Sequence, residues 1–207
     1  MYGRMTRIQT PPDAVEKGIA FFKETVAPKA RSTAGNAGAI LLVDRKTGAA
    51  IGITLWETAQ ALNASEGFGI SSRTQSVTAT GGSIVDVERY EQVFADRSQS
   101  AKEGGFVRLN SLSGTPEKID NAIKFMQKQV VPVLRDLKGH RATIMNVNRT
   151  TGRCTVSTVW DTLADLEASE AAVSGLRRDA GDAAGATDVK VEIFESAHAE
   201  IKQPSTV

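Results

Sequence analysis

The sequence predicts an α+β fold made of two tandem ferredoxin-like domains, each of β-α-β-β-α-β order, forming a pseudo-dimeric barrel. Three observations predict it. The chain repeats itself, each copy alternates strand-like and helix-like segments in the split β-α-β order, and the strands carry more apolar residues than one helix layer covers.

The repeat comes first, because it sets the size of the unit. A shift of about 104 residues aligns the two halves of the 207-residue chain without a gap, and about a third of the positions from Pro12 to Ala95 are then identical. Pro12 falls on Pro116, Phe21 on Phe125, Pro28 on Pro132 and Arg31 on Arg135. Arg45-Lys46-Thr47-Gly48 falls on Arg149-Thr150-Thr151-Gly152, and Ala64-Ser65-Glu66 on Ala168-Ser169-Glu170. Both tryptophans, Trp56 and Trp160, occupy one repeat position. The period is too long for a solenoid, so each copy is expected to be a domain, 1–97 and 105–201. The polar stretch at residues 96–104 reads as the linker.

The first segment, Tyr2 to Gln9 or Phe106 to Ser113, is short and partly alternating, which predicts a strand. Thr10-Pro11-Pro12-Asp13 and Thr115-Pro116-Glu117 carry helix-start signals. Val15, Ile19, Phe22 and Val26, with Ile119, Ile123, Met126 and Val130, form a stripe at helical spacing. Pro28 and Pro132 are expected to interrupt that helix near its end. Ala39 to Arg45 and Ala49 to Trp56, joined through Gly48, predict a hairpin, as do Thr143 to Arg149 and Arg153 to Trp160. A second helix opens at Thr58 and Thr162, the latter in a capping-box pattern with Asp165. A loose loop is expected next, ending at Gly81-Gly82 or Gly185-Ala186, and Ile84 to Tyr90 or Asp188 to Phe194 forms the last strand. Ile40, Leu42, Ile53 and Leu55 are left for the sheet face away from the helices, where the other copy's sheet is expected to cover them and enclose a cavity.

Composition excludes several function classes. The formal net charge is +1 with no basic block, which argues against nucleic acid, and two Trp and two Tyr are too few for a base-stacking platform. Cys154 is the lone cysteine, so no internal disulfide and no Cys-rich zinc site is available. With no signal-peptide core and no apolar run of about 20 residues, the sequence predicts a cytoplasmic protein off the membrane. It has no dinucleotide fingerprint, P-loop, zinc-protease helix or nucleophile elbow, and no metal-ligand cluster is visible.

The run Pro28…Arg31…Gly35…Ile40…Arg45-Lys46-Thr47-Gly48…Thr54-Leu55-Trp56-Glu57-Thr58…Ala64-Ser65-Glu66 resembles the antibiotic-biosynthesis-monooxygenase type of dimeric α+β barrel. The second copy carries the same elements with Pro132, Gly152, Trp160, Asp161 and Ser169-Glu170. The resemblance implies an intrachain pseudo-dimer, with further homodimerisation left open. That superfamily spans cofactor-free oxygenases of aromatic polyketides, haem-degrading oxygenases and lactone isomerases. Its haem-degrading branch uses an asparagine on the first strand, a tryptophan inside the second helix and a histidine just after it. Asn110 matches the asparagine, but Thr6 stands there in the first copy. The tryptophan position falls on Ser65 and Ser169, and the histidine position near Gln75 and Asp179. His140 and His198 lie elsewhere, so haem has no axial ligand and no cofactor is expected.

The ligand-pocket candidates are Arg4, Trp56, Arg108, Asn110, Asn146 and Trp160. The tryptophans either wall a pocket or pack over the following helix. Arg4 and Arg108 either hold an anionic ligand or pair with a carboxylate such as Glu88 or Glu192. Asn110 and Asn146 replace Thr6 and Leu42, and either mark a polar spot in an apolar cavity or lie on a solvated face. Arg73 and Arg177 either rim a pocket or sit in a solvated loop, and His140 is either a general base or an exposed bystander. The context of Cys154 gives no nucleophile pattern. No catalytic base is identifiable. Two functions therefore stand side by side: a cofactor-independent monooxygenase or isomerase acting on a small aromatic molecule, and a non-catalytic small-molecule-binding or stress-associated barrel.

Overall fold

The computed structural model describes residues 1–99, 103–186 and 188–202. In the first copy, β1 (Tyr2–Gln9) leads into a helix, α1, made of α-helical Val15–Phe21, a π-helical turn Phe22–Val26 and α-helical Ala27–Ser32. The hairpin strands β2 (Asn36–Val43) and β3 (Ala49–Trp56) follow, then α2 (Ala59–Ala64), α3 (Glu66–Thr80) and β4 (Ser83–Arg97). The second copy repeats this. It has β5 (Phe106–Ser113), α4 (Ile119–Phe125, the π-turn Met126–Val130 and Val131–Arg135), β6 (His140–Val147) and β7 (Arg153–Trp160). It ends with α5 (Leu163–Ala168), α6 (Glu170–Ala184) and β8 (Val189–Ile201).

The two prolines do not interrupt their helices as expected. Pro28 and Pro132 each lack the N–H that a straight helix would use, and each ring crowds the carbonyl four residues back. The helix responds by widening: the amide of Ala27 donates to the carbonyl of Phe22, and that of Val131 to Met126, both five residues back. Each helix then continues past its proline.

The segment expected as a loose loop is also helical in both copies. α3 reads Glu66-Gly67-Phe68-Gly69 and then mostly Ser and Thr, with only Gly69 and Thr80 buried. It presents no apolar stripe, so periodicity gave no signal. Its end is marked by Gly81 in the left-handed region at φ 69°, and α6 ends the same way at Gly185, φ 64°.

The strands are hydrogen-bonded in the order β1-β3-β2-β8-β5-β7-β6-β4, closed into a barrel. By internal contacts the chain forms two units, Met1–Tyr90 with Glu195–Val207, and Glu91–Phe194. The stretch from residue 96 that reads as linker begins inside β4, which runs to Arg97, and Glu91 to Arg97 pairs antiparallel with Val147 to Ala142 of β6. Glu195 to Ile201 of β8 likewise pairs with Val43 to Gly38 of β2. Residues 100–102 of the expected linker lie outside the described residues.

In the first unit Val15, Ile19, Phe22 and Val26 of α1 pack on Ala39, Leu41 and Val43. In the second, Ile119, Met126, Val130 and Leu134 pack with Met145, Val147 and Trp160. Leu42 and Leu55 are buried, while their neighbours Ile40 and Ile53, partners in register, remain half-buried. Trp56 and Trp160 are fully buried, and each indole N–H donates to the hydroxyl two residues back, Thr54 (3.1 Å) and Thr158 (2.9 Å). Trp56 packs in a T-shaped pair with Phe68, and Trp160 in one with His140. Both indoles are thus packed inside their units with their one polar group satisfied. Trp160→Ala is expected to lower unfolding free energy by about 3–5 kcal/mol, read from urea denaturation.

Candidate functional site

Arg4 on β1 is 2% exposed, so its charge must be satisfied internally. Its Nη2 donates to the carbonyl of Leu62 (2.9 Å) and to Glu66 Oε2 (2.8 Å), and Nη1 to Ser65 Oγ (3.1 Å). The repeat is faithful: Arg108 donates to Leu166 O (2.7 Å) and Ser169 Oγ (2.8 Å) and pairs with Glu170 at 3.0 Å. The carboxylate partners are thus Glu66 and Glu170, at the start of α3 and α6, and not the expected Glu88 and Glu192. Arg73 and Arg177, expected in a loop, project from those helices seven residues on, two turns away, and reach the same carboxylates at 2.7 Å.

Glu66 gathers three arginines. Its Oε2 accepts from Arg4 and from Arg89 (2.6 Å), and its Oε1 from Arg73. Burial pushes the Glu66 carboxyl up, but hydrogen bonds from Arg73 and Arg89 and the nearby charges of Arg4 and Arg73 outweigh it and hold the pKa at about 2. Burial lowers the pKa of Arg4 and of Arg108, partly offset by the carboxylates.

Beside this cluster the first unit holds a cavity of about 80 Å³ between its sheet and its helices. Alternate residues of β1 and β3, including Arg4, Thr6, Gly52 and Thr54, form the floor. The roof is the π-turn of α1, with Phe22 and Val26, and the α3 face of Phe68, Gly69 and Arg73. The second unit has a cavity of about 50 Å³ at the matching place, lined by Arg108, Asn110, Met126, Val130, Val173 and Arg177 among others. The size difference follows from the repeat: Gly18, Ala50, Gly52 and Gly69 line the first cavity where the second copy has Ala122, Cys154, Val156 and Val173. These cavities lie on the helix side of the sheet, not on the face where the sequence suggested one.

Three of the six sequence candidates line a cavity: Arg4 in the first unit, and Arg108 and Asn110 in the second. The Asn110 amide donates to the carbonyl of Val156 at 3.2 Å, while its Oδ1 is buried without a partner. Trp56, Trp160 and Asn146 line neither cavity. Asn146 bonds instead to Thr155 Oγ1 at 3.2 Å. His140 is not an exposed bystander: it is 4% exposed, its Nε2 is 2.9 Å from Thr143 Oγ1, and burial lowers its pKa. Burial raises the Cys154 thiol to about 11, which leaves it a poor nucleophile. Glu66 and Arg73, central to the site, show one sequence signal: their seven-residue spacing recurs at Glu170 and Arg177.

No protein-family model matches the chain. Two uncharacterised proteins of Mycobacterium tuberculosis, Rv2557 and Rv2558, are each 29% identical over the whole of this chain, covering 92% and 88% of their own lengths. An anthrone oxidase-like protein superposes with a TM-score of 0.68 at 13% identity, over 100% of this chain and 97% of its own. A ferredoxin-fold protein from Listeria monocytogenes related to antibiotic biosynthesis monooxygenases superposes at 0.53, with 13% identity and 95% of both chains covered. The fold is that of the antibiotic biosynthesis monooxygenase type of α+β barrel. A haem-degrading enzyme of the same bacterium also superposes, at 0.55 and 12% identity over 93% of this chain and 98% of its own. The residues here do not fit haem: among the described residues lining the two cavities none is His, Cys or Tyr, and both spaces are far too small for a porphyrin. Among the described residues no group of three or more His, Cys, Asp or Glu stands together to hold a metal, and no helix is long and apolar enough to cross a membrane.

Because the pKa of Glu66 is depressed, the stability it supplies is complete above the ordinary carboxylate value of about 4.3. That stability is lost as pH falls toward about 2. Glu66→Gln is therefore expected to cost about 1–3 kcal/mol at pH 7 and almost nothing near pH 2, as measured by urea denaturation at both pH values.

Proposed function

We propose that the protein binds a small hydrophobic ligand, aliphatic or aromatic, in the helix-side cavity of its first unit. The observation that carries this reading is an apolar chamber, formed by Ile19, Phe22, Val26, Leu41 and Phe68, with polar groups gathered at the Arg4 and Arg73 end. A rigid apolar cavity of roughly 150 Å³ admits benzene. About 80 Å³ therefore suits a short aliphatic body or one edge of a single ring.

A second reading, cofactor-independent oxygenation, is favoured by the full-length likeness to the anthrone oxidase-like fold. The substrate would supply the electrons, an activated CH₂ reacting with O₂ to give C=O and water, while the protein excludes solvent and holds the anion. Among the described cavity-lining residues there is no Asp, Glu, His, Tyr or Cys to take the proton. That reading therefore requires a substrate that enters already ionised.

Butyramide, a neutral short-chain probe, is expected to shift the NMR resonances of the Phe22 and Phe68 rings. Ala50→Leu, which grows into the chamber, should abolish the shifts. If no neutral compound of butyramide's size moves those rings, the binding reading is wrong. For the second reading, oxygen uptake with a small single-ring phenolate bearing an activated CH₂ should exceed the buffer rate and fall in Arg73→Gln; uptake at the buffer rate removes it.

A further inference from the structure

We infer that Gly69 and Arg89 make the first-unit cavity, and not its counterpart, a seat for the carboxylate of a short-chain acid. The inference rests on the binding reading above and names the ligand's head.

Two matched positions differ between the copies, and both differences expose positive charge in the first. At Gly69 an added Cβ would stand 2.8 Å from Arg4 Nη1 and 3.0 Å from Arg73 Nη1, so only the absence of a side chain leaves these guanidiniums uncovered. The second copy has Val173 there, buried and lining its cavity. At position 89 the first copy has an arginine that occupies Glu66 Oε2 together with Arg4. Arg73 is then left with Oε1 alone, which its Nη2 takes, and its Nη1 is buried with no partner, as is Nε of Arg4. The second copy has Ile193 instead, and Glu170 takes both Nη1 (2.9 Å) and Nη2 (2.7 Å) of Arg177. Among the described residues Glu66 is shared by three guanidiniums, Arg4, Arg73 and Arg89, and Glu170 by two, Arg108 and Arg177.

A buried guanidinium N–H without an acceptor is unfavourable, and an entering carboxylate relieves it with a charge-assisted hydrogen bond. The apolar chamber beyond accepts the acid's short chain. A neutral amide of the same shape fills the chamber but brings no charge.

The test is an NMR titration of the full chain with butyrate and with butyramide at constant ionic strength. Wild type should bind butyrate at least about tenfold more tightly than butyramide, with the Arg73 side-chain Nε–H resonance shifting. Arg89→Ile, which copies the second repeat outside the chamber lining, should bring the ratio close to one while butyramide binding persists; Gly69→Val, which also narrows the chamber, should abolish the butyrate preference. Arg89 is half exposed, so its variant keeps the test sound if Gly69→Val fails to fold. Equal affinity of wild type for the two probes overturns the anion seat and leaves the binding reading intact. Binding of neither probe overturns both. A butyrate preference that survives Arg89→Ile overturns the assignment to these residues.

Discussion

Each copy is organised around a buried guanidinium that cannot be left unsatisfied. Arg4 and Arg108 rise from the first strand into an interior where an unpaired charge would be prohibitive. Each therefore fixes three groups at once: the carbonyl at the end of a short helix, the hydroxyl of the serine where the helix breaks, and the carboxylate that opens the next helix. The break at Ser65 and Ser169 leaves Leu62 O and Leu166 O within the arginine's reach. The long helix is thereby pinned to the sheet at its start, although α3 has almost no apolar face of its own.

The cavities are a by-product of that arrangement. The arginine lock holds α3 and α6 at one end, and the π-turn before each proline widens the facing helix. The space between is filled or left open by the small residues that line it. In the first copy glycine recurs on strand and helix, and the space remains; in the second, valines take it up. The same scaffold thus presents two chambers whose chemistry differs through a few side chains, while the lock itself is unchanged.

Much of the fold was legible because two copies sample one pattern. The first strand, the hairpin and the helical stripe at Val15, Ile19, Phe22 and Val26 carry local periodic signals, and both copies agree on them. α3 was not legible, because a helix held by an ion pair at its start and a glycine at its end needs no stripe. The continuation of the helix past Pro28 was hidden too, since the widened turn that accommodates the ring is a response of the backbone and leaves no pattern in the side chains. Of the site, Arg4, Arg108 and Asn110 were readable as polar residues on an apolar strand face. Trp56, Trp160 and Asn146 carry a similar signal but line neither cavity, because pattern alone does not say whether a residue near a strand end faces an empty space or a filled one. Glu66 and Arg73 lie far apart from Arg4 in sequence, and only the folded sheet brings them together.

The ends of the last strands carry a consequence for the origin of the chain. Residues 91–97 complete the sheet of the unit built mainly from the second repeat, and residues 195–201 complete that of the first. The boundary of the duplication and the boundary of the folded unit therefore do not coincide. An ancestral single-repeat chain could have paired its strand end only with another molecule, at a strength set by its concentration. In the tandem chain the two repeats are tethered, so each strand end meets its sheet at a local concentration fixed by chain length. Within one chain the two repeats need not be identical for that pairing to form, so the differences between them carry no penalty of broken symmetry.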